Sequence, residues 1–295
     1  RIKIWKKVKI QGGREMKKLL GIVLGCLLIG GSSAWAAPVF QIGAINEISF
    51  KAYENLVDTN GTPTIIDVGD YFYGILGAQN IDVGGVQIWT QSSTDQFSGY
   101  FLSEVVAIQN KYTSGGITYG DIILGPYTGG TDPWGILDPT AGEVMALFVD
   151  SGPSATVFEA NGTVADDINK ATDGNLWGTL TTNNGYWYTP NAPLTPPPPG
   201  GNTVGQNYAG LNFVQAPFQT LKINDPNEGI QNKDVDVFFN AKITTTYSPI
   251  SSYWSYNVND PADVYPLPEP TSLLLLGSGL LGLAGIGIRR RRRIV

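Results

Sequence analysis

Residues 271–288 (TSLLLLGSGLLGLAGIGI) carry no charge, and five arginines follow at once: Arg289, Arg290, Arg291, Arg292 and Arg293. A helix of that length reaches about 27 Å, close to the roughly 30 Å of a bilayer's hydrocarbon core. An arginine at a helix centre costs roughly 2.5–3.5 kcal/mol on insertion scales, so five in a row halt translocation and stay cytoplasmic. The run therefore reads as a C-terminal transmembrane helix, with the preceding chain outside and the arginines inside. An apolar helix ending in five arginines has no ready place in a water-soluble core.

The other end has a matching logic. Residues 1–15 are basic and precede Met16, and they read as upstream sequence translated in frame. From Met16, residues 16–36 combine a short basic stretch (Lys17, Lys18), an apolar run over 19–29 and a small-residue site at Ala34-Trp35-Ala36. Those are the three parts of a secretory signal peptide, with cleavage expected between Ala36 and Ala37. Val23-Leu24-Gly25-Cys26 offers a competing reading, a lipobox that would make Cys26 an acylated N-terminus. Leu24 fits that pattern poorly, and the apolar run continues past Cys26.

Leu267-Pro268-Glu269-Pro270 stands directly before the apolar run. The tripartite end resembles the PEP-CTERM sorting signal of Gram-negative bacteria. It joins Pro268, Glu269 and Pro270, the helix over 271–288 and the cluster Arg289 to Arg293. The resemblance covers residues 266–295. It implies recognition by a membrane-embedded exosortase, processing near the Pro-Glu-Pro motif, and export alongside exopolysaccharide in biofilm-forming species. The motif residues would be substrate, since the exosortase supplies the catalytic groups. The Gram-positive LPxTG signal fits less well, because Pro270 stands where its threonine would be.

Removing both ends leaves residues 37–270, with six lysines, no arginine and 24 acidic residues, a net charge of −18. That excludes phosphate-backbone binding by counterion release, so no nucleic acid partner is expected. The same charge would attract divalent cations or cationic polymers. The absence of histidine removes the commonest general base, and a single cysteine removes any intrachain disulfide.

Residues 37–265 read as an exported all-β domain, an antiparallel β-sandwich or jelly-roll-like fold with one short helix. The clearest strand is 234–247, where Val235, Val237, Phe239, Ala241, Ile243 and Tyr247 alternate with polar residues and Phe238 breaks the pattern. Further strands are expected at 44–50, 64–67, 71–76, 85–90, 99–108, 117–124, 144–149, 211–214 and 220–223. Glycine-containing turns such as Gly84-Gly85 and Gly115-Gly116 lie between them. A helix is expected at 164–171, capped by Thr163 with Asp166 and Asp167 in its first turn. Four prolines, Pro196 to Pro199, interrupt the pattern and make 189–202 a loop within one domain or a linker between two. Residues 68–77, the strand around Trp89, 98–105 and 254–262 resemble a recurring β-domain of PEP-CTERM proteins, which brings no catalytic residue.

Three kinds of chemistry remain. A carboxylate pair could serve a polysaccharide-active enzyme, and Glu47, Glu104, Glu143 and Glu159 lie nearest apolar strands. Calcium is a candidate for the oxygen-rich loops at Asp58-Thr59-Asn60, 224–229 and Asp234/Asp236. The first departs from an EF-hand at Pro63 and Gly69. Aromatic clusters at Tyr186-Trp187-Tyr188 and Tyr253-Trp254-Tyr256 could stack on sugars or pack the core. The expectation is a non-enzymatic structural or adhesive protein of the cell surface or extracellular matrix. It has no catalytic residue and no required cofactor, and exosortase, the inner membrane and exopolysaccharide are its partners.

Overall fold

The computed structural model describes residues 38–61, 65–152, 160–195, 202–216, 218–224, 234–246 and 253–267. Alternation of side chains about a pleated backbone accounts for most of them. In β1 (Asn46–Val57), Ile48, Phe50 and Ala52 are buried while Glu47 between them and the chain end is exposed. The same rule builds β2 (Tyr71–Val83), β3 (Val86–Thr90), β4 (Asp95–Ser114), β5 (Ile117–Gly125) and β6 (Glu143–Ser151). After the helix α1 (Val164–Thr172) come β7 (Asn175–Pro193), β8 (Asn202–Gln215), β9 (Ile223–Asn224), β10 (Asp234–Val235), β11 (Val237–Thr246) and β12 (Tyr256–Val264).

The pairings close on themselves. β1 pairs with β2 on one edge and with β12 on the other. β2 pairs with β4, and β4 pairs along its far edge first with β6 and then with β5. Both β5 and β6 pair with β7, which pairs with β8, then β11, then β12. The result is an antiparallel ring of eight positions, one of them shared end to end by β5 and β6. The expected antiparallel β-structure is present, but not as a two-sheet sandwich or jelly roll. Nearly sequential strands form an up-and-down barrel, and closure leaves the ring itself without edges. Tight glycine turns make this order cheap. Gly84 and Gly85 (φ +57° and +78°) join β2 to β3, and Gly115 and Gly116 (φ +59° and +79°) join β4 to β5.

Several expected elements changed. The strand at 234–247 divides at Asp236: β10 pairs with β9, and β11 enters the ring. The expected strand at 64–67 is a loop where described, and 220–223 shrinks to an isolated bridge at Thr220 and the short β9. β7 runs through Pro193, into the expected proline-rich loop, and pairs with β8 on that loop's far side. The helix forms as expected, with a capping box in which Thr163 and Asp166 satisfy each other's backbone amides.

Side chains inside the ring form the main core, among them Ile48, Phe50, Leu76, Phe101, Leu147, Leu211 and Phe239. Phe40, Phe97, Trp177, Phe213 and Phe218 fill one end, with ring centroids 4.9–6.4 Å apart. The outer wall is covered in part. Ile168 and Ala171 of α1 pack with Ile75, Tyr100, Leu102 and Trp254. Buried Asp167 fastens the helix there, accepting hydrogen bonds from Trp254 Nε1 (2.8 Å) and the Gly162 amide (2.9 Å).

Candidate functional site

Pro268, Glu269, Pro270, Arg289 to Arg293, Ala34, Ala36, Ala37 and Cys26 lie outside the described residues, as does Glu159. Among the described residues no helix is long and apolar enough to cross a membrane. The structure does define how the chain leaves the barrel just before Pro268. Val264, the last residue of β12, is fully buried. Beyond it the Tyr265 carbonyl accepts from the Leu221 amide (2.9 Å) and the Pro266 carbonyl from the Gly43 amide (2.9 Å). The Leu267 amide donates to the Gln219 carbonyl (2.7 Å). Tyr265 Oη adds a bond to the Gly43 carbonyl (2.7 Å). The chain is therefore held to the aromatic end of the barrel up to the residue before the Pro-Glu-Pro sequence.

The acids picked out from sequence sit on the outer wall or in loops. Glu104 accepts from the Thr128 amide and hydroxyl (2.6 and 2.8 Å). Glu143 joins the Asp138 amide (2.9 Å) to the Thr179 hydroxyl (2.7 Å). Glu47 is exposed, opposite Asp82 on β2 and Asp263 on β12. Burial, and then the charge of Glu47, pushes the Asp263 carboxyl up to about 6.

A different pair lies inside the ring. Glu54 continues the inward face of Ile48, Phe50 and Ala52, and Asp260 stands between inward Val258 and Ala262. Both line a cavity of about 20 Å³ with Phe101, Trp187, Asn207 and Phe239. Desolvation pushes Glu54 up to about 8, with the neighbouring Asp260 charge adding to it, and Asp260 itself up to about 7. Asp260 Oδ1 and Trp187 Nε1 are buried without a hydrogen-bond partner among the described residues. Sequence reading missed this pair because it ended the first strand at Phe50. Extending the alternation four residues would have put Glu54 on the apolar face.

Asp58, Asp70 and Asp236 in or beside the oxygen-rich loops are taken up by protein donors. Asp58 accepts from the Asn60 and Gly61 amides (2.9 and 3.0 Å), and buried Asp70 from the Thr59 and Asp67 amides (3.0 and 2.8 Å). Asp236 holds the Phe213 amide (3.0 Å), the Thr220 hydroxyl and Lys222 Nζ (2.7 Å). Residues 225–229 are outside the described residues, and among those described no three acidic side chains converge as metal ligands. The aromatic clusters divide. Trp187 is inside the ring, Tyr186 packs with Tyr208 and Phe238, and Trp254 is buried under α1. Tyr253 remains 49% exposed, near a run in which Tyr73 lies 6.4 Å from Trp134 and 6.1 Å from Trp254.

Fold and chain exit together define a β-barrel domain joined almost without a spacer to a C-terminal signal. That signal is a PEP-CTERM protein-sorting motif, matched over residues 266–293, and it marks the chain as an exosortase-targeted exported protein. No curated protein and no solved structure matches the chain.

Proposed function

We propose that the chain is a non-enzymatic structural or adhesive protein of the cell surface or exopolysaccharide matrix, released from its membrane anchor by exosortase. The sorting motif at 266–293 carries this reading. Three features support it. The segment between the two processing sites has a net charge of −18, which favours solubility and cation-mediated association over binding to anionic surfaces. The interior cavity, about 20 Å³, admits a water-sized group and not a sugar ring. The Tyr73 and Trp134 rings, 6.4 Å apart on the outside of the barrel, could stack on sugars. The test replaces Pro268, Glu269 and Pro270 with alanine and follows the protein by cell fractionation. Retention in the inner membrane is expected; unchanged release would overturn the sorting role.

A further inference from the structure

The end of the barrel from which the chain leaves toward Pro268 carries several exposed apolar side chains. Val39, Ile42 and Ile45 precede β1 and are 49–54% exposed. Leu221, 50% exposed, donates its amide to Tyr265 on the outgoing chain. Leu176 and Val214 add to the same rim, next to Trp177 and Phe213 of the aromatic plug. Because Gly43 and Leu221 bind the outgoing segment directly, these residues surround the exit.

Chain length fixes what lies opposite. From Leu267, the last described residue, to Thr271, the first of the uncharged run, are four residue steps. Fully extended they reach at most about 14 Å. A headgroup layer takes about 5–7 Å of that on each side of the bilayer. The rim thus cannot stand more than several ångströms from the lipid surface while the tail is inserted. We infer that the barrel docks on the bilayer through this rim, with Val39, Ile42, Ile45 and Leu221 seated in the headgroup region until the tail is cut. The inference rests on the anchored precursor described above. Charge selects the lipid: Glu47, Asp82 and Asp263 lie opposite one another on the wall just behind the rim, so it fits a zwitterionic surface and is repelled by an anionic one. Docking would present Pro268 to Pro270 at a constant height to a membrane-embedded peptidase, and release of the tail would remove the tether that keeps a modest apolar patch in contact.

The test uses residues 37–295, the precursor expected after cleavage between Ala36 and Ala37, which carries no cysteine, reconstituted in phosphatidylcholine vesicles. An environment-sensitive dye is placed in turn at Ile42→Cys, Leu221→Cys, Ile117→Cys and Ser278→Cys, and brominated lipid serves as quencher. Ile117 lies at the turn between β4 and β5, at the opposite end of the barrel. All three barrel positions are exposed, so labelling leaves the core intact. Quenching at 42 and 221 several-fold above that at 117 is expected. Quenching at 278 with 42 and 221 no different from 117 would overturn docking and leave the anchored tail standing. Shielding of 42 and 221 from water without lipid quenching would assign the rim to a second copy of the chain, and also overturn it. No quenching at 278 would overturn the anchored precursor itself.

Discussion

Glu54 shows how one residue carries both strain and information. In an apolar barrel a carboxylate prefers its neutral form, and the folded value of about 8 lies above the unfolded value near 4.5. Folded protein therefore holds more protons than unfolded protein between those values, so stability falls as pH rises from about 4.5 to 8 and levels off above. Asp260 adds a similar loss ending near 7. Both residues keep a minor share of exposed surface, which reduces the effect below that of full burial. E54Q and D260N should each raise the midpoint of urea unfolding at pH 8 while leaving it nearly unchanged at pH 4; equal midpoints at pH 8 would contradict the assigned burial. Asp132 is the opposite case, a buried acid fully used. It accepts from Tyr100 Oη (2.9 Å) and from the amides of Trp134, Ile136 and Leu137 (3.0, 2.8 and 2.9 Å). D132A strands all of these donors and should cost about 2–4 kcal/mol in a denaturant titration. Gly74 has no room for a methyl group: a Cβ there would lie 2.4 Å from the Tyr53 carbonyl and 2.6 Å from the Phe101 ring. G74A should lose about 1–3 kcal/mol, since backbone and not a pliant side chain blocks the space.

Among the elements, α1 was the most legible and the strands the most uneven. The Thr163 cap and two early acids are local features, and the structure reproduces the helix to within a residue. T163A removes the cap and should cost about 1 kcal/mol, measurable as a lower thermal midpoint with the fold retained. Strand limits were harder to read because their ends depend on partners. β12 passes through Asp260 and Pro261, residues that weaken any strand judged alone, yet it pairs with β1 along nine positions. Val235 and Phe238 were expected on opposite faces, and both are buried in one cluster with Tyr186 and Tyr208. The break at Asp236 rotates the chain between them. It is imposed by the hydrogen bonds that Asp236 makes to Phe213, Thr220 and Lys222, contacts 14–23 residues away in sequence.

For the whole molecule, β1–β12 pairing joins the two ends of the domain and closes the barrel. A chain ending before Tyr256 would expose both β1 and β11 edges and should fail to fold, read as loss of near-ultraviolet circular dichroism and recovery in inclusion bodies. A chain ending at Leu267 keeps every described strand and should fold. The same closure explains what each level of description decided. The sorting motif was legible in the sequence alone, because a Pro-Glu-Pro tag followed by an uncharged run and an arginine cluster is a matter of composition and order along the chain. An all-β domain also followed from period-two alternation and glycine turns, which are properties of neighbouring residues. Whether those strands made two sheets or one ring was left to tertiary structure, since alternation fixes which side of a strand is apolar and not which strand lies beside it. So was the choice of the acids brought inside: Glu54 and Asp260 become interior groups only when strands about 200 residues apart in sequence close the ring around them.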